Sequence, residues 1–456
     1  MAFDSKFKSA MLSSEHCLFS TFIVIIKHLN LIICLFSHSN FLPLALKYKV
    51  RAIAAHLNFK LARIKLTREP IAPLDLLSID TLLSEEDIAI RDTVRKFVDR
   101  RIKPDIATWF EEGTLPAREL ALELGELGVL GMHLDGYGCA GTSALAYGLA
   151  CTELEAGDSG LRSLVSVQGS LAMKAIHAFG SEEQKQTWLP GMASGEIIGC
   201  FGLTEPDFGS NPSGMRTNAK RDGDDWILNG TKMWITNGSI ADVAVVWART
   251  DDGIKGFIVP TNSEGFSAPL IHRKMSLRAS VTSELILDNV RVSDSQRLPE
   301  VSSLRGPLTC LNEARFGILF GTIGAARDCL ETAINYSISR EQFDKPIAGF
   351  QLTQKKLADM AVELQKAMLL AIHVANLKDK HISNPTQVSI GKLNNAREAL
   401  NIARECRSIL GANGVTLEYP IIRHMNNLES VFTYEGTNEM HTLVVGEALT
   451  GIAAFR

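Results

Sequence analysis

The hydrophobic period of the chain changes twice, and this double switch restricts the folds open to it more than any other feature. From "TLLSEEDIAIRDTVRKFVDRRI" (81–102) to about residue 198, apolar residues recur at helical spacing. Ser84, followed by Glu86 and an apolar face of Ile88, Ile90, Val94, Phe97 and Val98, predicts a capped amphipathic helix. Near residue 200 the period drops to two. "DDWILNGTKMWITNGSIADVAVVWARTDDGIKGFIVP" (224–260) alternates β-branched and aromatic residues, and Asn229-Gly230, Asn237-Gly238 and Asp252-Gly253 signal hairpin turns. From about 305 the helical period returns, with Leu357, Met360, Leu364, Met368, Ala371 and Ala375 on one stripe. The reading is a mainly α protein with a β insert: a helical domain over 69–198, an antiparallel β domain over 199–304 and a helical bundle over 305–456.

Residues 1–68 stand apart. They carry ten Lys/Arg against Asp4 and Glu15, a net +8 that leaves about −12 for the rest of a chain of net charge −4. An acid-poor, basic segment of this kind is expected to be a targeting leader, or else to follow a misassigned start. Its apolar run "CLFSTFIVIIKHLNLIICLF" is broken by Lys27 and His28, so stable membrane insertion is not expected. A presequence would place the protein in the mitochondrial matrix; otherwise a bacterial cytoplasm is expected. The acidic body argues against nucleic acid as a partner. Eight scattered cysteines contain no C-x-x-C pair, so neither a metal site nor a disulfide framework is expected.

Three stretches are hard to explain as packing alone. "CFGLTEPDFGSNPSG" (200–214) places Gly202, Gly209 and Gly214 where backbone can approach a ligand, with Thr204 and Ser210 as hydroxyl donors; an ordinary interdomain loop is the competing reading. "WIT" (234–236) offers a strand Trp that serves either as core or as a stacking platform. "SREQFDKPIAGFQ" (339–351) sets Arg340 before a Pro-containing turn, where a surface ion pair is the plain alternative. None of these is a Rossmann or P-loop signature.

Taken with "TYEGTNEMH" (433–441), these stretches resemble the acyl-CoA dehydrogenase family over about residues 75–456. That resemblance implies a helical N-terminal domain, a middle antiparallel β-barrel and a C-terminal four-helix bundle, assembled as a homotetramer around FAD. It implies that Phe201, Leu203, Thr204, Gly209 and Ser210, with Trp234, Ile235 and Thr236, hold the flavin ring. Arg340, Phe343, Gln351, Leu410 and Gly411 would reach the FAD phosphates across a subunit interface, with Thr437 and Glu439 also on the cofactor side. Asp344 stands where the family usually has Gly. Glu435 would be the catalytic base.

"ELEAGDSGLRSLVSVQGS" (153–170) resembles the glutaryl-CoA dehydrogenase branch of that family. There the matching Arg and Ser bind the distal carboxylate of the substrate, which suits a planar guanidinium fork. From spacing alone, an ion pair of Arg162 with Glu155 or Asp158 is the bland alternative. The resemblance assigns Glu155, Arg162, Ser163, Ser210, Arg315, Tyr434 and Gly436 to glutaryl-CoA. It implies oxidative decarboxylation to crotonyl-CoA and CO2, as in lysine and tryptophan degradation, with electrons passed to an electron-transfer flavoprotein. A short-chain acyl-CoA oxidase and a non-decarboxylating glutaryl-CoA dehydrogenase are the rival enzymes. The ending "GIAAFR" and Arg162 speak against the oxidase.

Overall fold

A computed structural model describes residues 74–454, so the leader reading of residues 1–68 lies outside the described residues. Helices α1 (Glu85–Phe97), α2 (Ile106–Glu112), α3 (Ala117–Glu126), α4 (Ala144–Gly157), α5 (Ser159–Ser166), α6 (Lys174–Phe179) and α7 (Glu182–Ala193) come first. Ser84 does cap α1, but its reciprocal partner is Asp87 rather than Glu86: the Asp87 N–H donates to Ser84 Oγ at 3.1 Å and the Ser84 N–H to Asp87 Oδ2 at 3.0 Å. Every residue of α4 and α5 is buried. Charges on two such helices must find partners inside the protein.

The middle of the chain is a curled seven-stranded sheet of β1 (Gly199–Gly202), β2 (Asn218–Asp222), β3 (Asp225–Thr236), β4 (Val243–Thr250), β5 (Gly253–Pro260), β6 (Phe266–Ser267) and β7 (Thr282–Ser293). Its pairings are antiparallel except β1 with β4 and β2 with β4, which refines the antiparallel reading to a mixed sheet. Of the three turn signals only Asp252-Gly253 closes a hairpin, β4 to β5. Asn229-Gly230 falls inside β3, where Gly230 at φ +149° marks a register shift against β7. A Cβ there would lie 2.4 Å from Thr217 Oγ1, so the glycine serves close approach rather than a turn. Asn237-Gly238 ends β3, yet β3 and β4 do not pair, because β1 and β2 take the edge of β4 on that side.

The helical bundle follows as α8 (Arg305–Ser339), α9 (Gln351–Asp379), α10 (Pro385–Ile409), α11 (Ile421–Thr433) and α12 (Asn438–Thr450), with a small β8 (Glu341–Gln342) to β9 (Lys345–Pro346) hairpin between α8 and α9. Four of these helices, α8 to α11, share one core with α4 and α5. The contact of α8 with α4 is tight: a Cβ at Gly324 would come within 1.8 Å of the Thr152 carbonyl. No described helix is long and apolar enough to cross a membrane.

Candidate active site

The break between α4 and α5 creates the first half of the site. Asp158 leaves the helical conformation and caps α5, accepting from the Gly160 N–H at 2.7 Å. It is anchored by Arg423 Nη1 at 2.5 Å and Asn427 Nδ2 at 2.8 Å, both from α11. The break folds Arg162 back onto Glu155, and Arg162 Nε donates to Glu155 Oε2 at 2.7 Å. Glu155 Oε1 accepts from Ser159 Oγ at 2.9 Å. The bland ion pair is therefore real for Glu155, whereas Asp158 is taken by Arg423. It occupies only Nε: Nη2 reaches the Tyr434 hydroxyl, and among the described residues Nη1 has no hydrogen-bond partner and the adjoining buried Ser163 Oγ has none either. Gly321 on α8 makes room for the pair, since a Cβ there would meet Glu155 Oε2 at 2.1 Å.

The second half is the turn between α11 and α12. Glu435 adopts φ +52° and Gly436 φ +92°, two left-handed residues in succession before Thr437 caps α12 by accepting from the Met440 N–H. A non-glycine residue in this region costs about 1–2 kcal/mol, so the strain sits on the candidate base itself. Only glycine fits after it, because a Cβ at 436 would lie 2.8 Å from His441 Nε2. Arg315 Nε donates to the Glu435 carbonyl at 2.8 Å, and Lys392 Nζ donates to the Gly436 carbonyl at 2.8 Å and the Phe432 carbonyl at 3.2 Å. The carboxyl itself is free. Its Oε2 is shut off from solvent and has no hydrogen-bond partner among the described residues. Loss of hydration raises the Glu435 pKa above the ordinary carboxyl value, against the opposing pull of Arg162, Arg315 and Lys392. Burial likewise pushes the Tyr434 hydroxyl up to about 12, so it is a neutral donor beside Arg162.

The end of β1 and the loop after it lie at a second place. Phe201 and Leu203 are buried, Thr204 is half-buried, and Gly209 and Ser210 are exposed. The Met233 N–H donates to the Thr204 carbonyl at 2.8 Å, which ties this loop to the β3 bulge carrying Trp234. Trp234 is a residue the sequence left open between core and platform. It sits at φ +62° with 58% of its surface exposed, while Ile235 beside it is buried and Thr236 half-buried. Beneath the loop, Lys232 Nζ donates to Glu205 Oε1 at 2.8 Å and the Leu203 carbonyl at 3.1 Å, and Glu205 also accepts from the Arg216 and Thr217 N–H groups.

Arg340, Phe343, Gln351 and Gly411 are exposed at a third place, where the β8–β9 hairpin, the start of α9 and the end of α10 border a cavity of about 350 Å³. Leu410 is buried behind it. Among the described residues, no hydrogen bond joins this group to the loop after β1. Glu439 is exposed on the first turn of α12. Of the residues named from the sequence, the structure joins Arg162 to Glu155 and to Tyr434 beside Glu435, and joins the loop after β1 to the Trp234 bulge; Lys392, Glu205 and Lys232 were missed. Lys392 had one signal: it is in helical phase with the buried Val388, Ala396 and Ala399.

Family models for the N-terminal, middle and C-terminal domains of acyl-CoA dehydrogenases match residues 84–196, 200–290 and 305–450 in that order. The chain belongs to the acyl-CoA dehydrogenase family. It is an oxidoreductase of that family, and its relatives include the human mitochondrial short-chain specific acyl-CoA dehydrogenase, 36% identical over 370 residues that span 80% of this chain and 90% of that protein. Among solved structures, a glutaryl-CoA dehydrogenase from Mycobacterium smegmatis is 70% identical with a TM-score of 0.84, covering 85% of this chain and 100% of its own. A second structure of a glutaryl-CoA dehydrogenase from that organism, in complex with FADH2, is 67% identical at the same TM-score and coverage. The acyl-CoA dehydrogenase site described above fits a flavin. The indole of Trp234 is exposed beside a loop whose Gly209 has open space where a Cβ would be, and Glu435 Oε2 is buried with no hydrogen-bond partner among the described residues.

Proposed function

We propose that this acyl-CoA dehydrogenase is an FAD-dependent glutaryl-CoA dehydrogenase that converts glutaryl-CoA to crotonyl-CoA and CO2. The observation that carries the substrate is Arg162: a guanidinium 1% exposed, held by Glu155 through one edge only, next to the unpartnered Ser163 hydroxyl. An aliphatic acyl chain would leave those donors unsatisfied, whereas a carboxylate accepts from both. The 70% likeness to a glutaryl-CoA dehydrogenase supports the same reading.

Phe201, Leu203, Thr204, Gly209, Ser210 and the Trp234–Thr236 bulge would hold the flavin, which when bound supplies the hydride acceptor. Arg340, Phe343, Gln351, Leu410 and Gly411 would serve the FAD of a neighbouring copy in a homotetramer. Glu435 removes the α-proton of the thioester, and its own N–H stabilises the developing enolate oxygen. Arg315 keeps that peptide in place through the Glu435 carbonyl. The unsaturated product then loses its γ-carboxylate as CO2, and protonated Glu435 returns a proton to the dienolate. Tyr434, a neutral donor next to Arg162, orients the departing carboxylate. An electron-transfer flavoprotein is the proposed acceptor, and the matrix is the proposed compartment if residues 1–68 are a presequence.

Steady-state kinetics of Arg162→Ala on glutaryl-CoA and butyryl-CoA test the substrate. Activity on glutaryl-CoA is expected to fall about 10²-fold more than on butyryl-CoA, the scale of about two charge-assisted hydrogen bonds. Equal losses on both thioesters refute the clamp. Anaerobic turnover of glutaryl-CoA tests the outcome: crotonyl-CoA with CO2 is expected, and glutaconyl-CoA would reassign the enzyme to the non-decarboxylating kind.

A further inference from the structure

Three main-chain carbonyls of the Glu435 turn, those of Phe432, Glu435 and Gly436, are each taken by a cationic side chain, while the carboxyl they surround is left free. One of those cations is anomalous. Lys392 is fully buried in the middle of α10 and, among the described residues, has no carboxylate oxygen within 4.0 Å of its Nζ. A buried charge is normally paired, because neutral carbonyls repay only part of its lost hydration. A purely structural clamp of two carbonyls could be made by a neutral amide at lower cost.

We propose that Lys392 is a positioning residue for the reaction, which clamps the turn bearing Glu435 and supplies the buried positive charge that keeps its carboxylate available as a base. The proposal rests on the reading of Glu435 as the base. Lys392 is placed to do both. Its two acceptors lie on either side of Tyr434 and Glu435, so one ammonium fixes the turn that holds Glu435 in a left-handed conformation. The charged groups around it come from four elements. Glu435 of the turn and Glu439 of α12 favour its charge, while Arg315 of α8 and Arg162 of α5 oppose it. His441 of α12 adds none, because burial, with Lys392 and Arg315 nearby, lowers it to about 3. Burial brings Lys392 itself down to about 7. Glu435 therefore faces a lysine whose charge is present below neutral pH and declines above it.

The test separates clamp from charge. Lys392→Gln keeps an N–H donor for the carbonyls and deletes the charge, and Lys392→Arg keeps both. The carboxylic-acid infrared band that disappears in Glu435→Gln is titrated in each protein, with FAD content measured alongside. In Lys392→Gln the midpoint is expected to rise by about one pH unit or more, the scale set by a neighbouring opposite charge, with the acid limb of the kcat–pH profile rising by the same amount. Lys392→Arg is expected to restore both. An unmoved midpoint in Lys392→Gln overturns the proposal. The coupling is reciprocal, so it can also be read without altering Lys392. Followed by nitrogen NMR of lysine-labelled protein, the Lys392 ammonium must titrate at lower pH in Glu435→Gln than in the wild type, and no change there also overturns the proposal. If Glu435→Gln instead keeps full activity, the base reading fails, and the two failures remain distinct.

Discussion

Glu205 and Glu435 each share their surroundings with a lysine that the fold buries completely, Lys232 in the first case and Lys392 in the second. At Glu205 every bond is spent. The carboxylate takes Lys232 Nζ and two backbone N–H groups, which outweigh burial and hold its pKa below the ordinary value. At Glu435 the lysine and the nearby arginine bind carbonyls of the turn instead, so desolvation wins and the pKa goes up. Similar residue types thus give a fully bonded anion under the loop after β1 and, at the turn before α12, the carboxyl proposed to be the base. What differs is whether the cation touches the carboxylate or only its backbone.

The strongest way to break this comparison is to neutralise each glutamate. Glu435→Gln is expected to lower kcat by about 10²–10⁴-fold while still binding thioester, measured by anaerobic flavin bleaching. Glu205→Gln is expected to act on stability and flavin retention rather than on the chemical step. Their pH dependences should have opposite signs. Glu435 binds its proton more tightly folded than unfolded, so it costs stability as pH rises through its raised value, and the Gln variant gains Tm over wild type at about pH 8 but not near about pH 4. Glu205 has the lowered value, so its stabilisation is present above the ordinary carboxyl range and lost on acidification. Glu205→Gln should therefore lose Tm at neutral pH and converge with wild type in acid. Parallel slopes for the two variants would end the distinction.

A smaller effect is expected when the paired lysine alone is removed. Lys232→Met leaves Glu205 buried with its two N–H donors but no counter-charge, and the expected loss is about 3 kcal/mol in denaturant unfolding. The Leu203 carbonyl is released at the same time, so FAD should dissociate more readily. Adding Glu205→Gln to Lys232→Met should recover part of the stability, because the uncompensated charge is then gone. A double variant no more stable than the single one would show that Lys232 acts by packing alone.

Local pattern made much of this molecule legible. The two period switches marked the three layers because side-chain phase is a local property, and the Asp252-Gly253 hairpin joins strands adjacent in sequence. Asn229-Gly230 misled because the freedom that suits a turn also suits a bulge, and only Thr217 pressing on Gly230 decides between them. Glu435, Arg162 and Trp234 stood out through their sequence surroundings. Their supports did not. Glu205 meets Lys232 across 27 residues, and Lys392 meets Gly436 across 44. A lysine on a long helix reads as solvated unless its phase with Val388 and Ala396 is weighed. The Glu155–Arg162 pair was open from spacing, but the helix break at Asp158 that makes it possible depends on Arg423 and Asn427, more than 260 residues away.

The β8–β9 turn gives the smallest expected effect and removes burial from the comparison. Its central residues, Phe343 at φ +53° and Asp344 at φ +62°, are both left-handed between the paired Gln342 and Lys345. Both are exposed, Phe343 by 88%. Two consecutive residues with positive φ define a turn that favours Asn-Gly or Asp-Gly, and this chain places Asp second, where the family usually has Gly. Asp tolerates the conformation better than most residues, so Asp344→Gly should stabilise by no more than about 1 kcal/mol. The same change removes a negative charge beside the residues proposed to reach the FAD pyrophosphate, and an exposed, screened charge should alter FAD affinity by no more than about fivefold. Asp344→Asn separates the two terms, because it deletes the charge and keeps a side chain in the turn. If Asn reproduces the gain in affinity without the gain in stability, charge acts on the cofactor and conformation acts on the fold. If Asn reproduces neither, the affinity change came from the relaxed turn, and the acid at 344 is electrostatically silent.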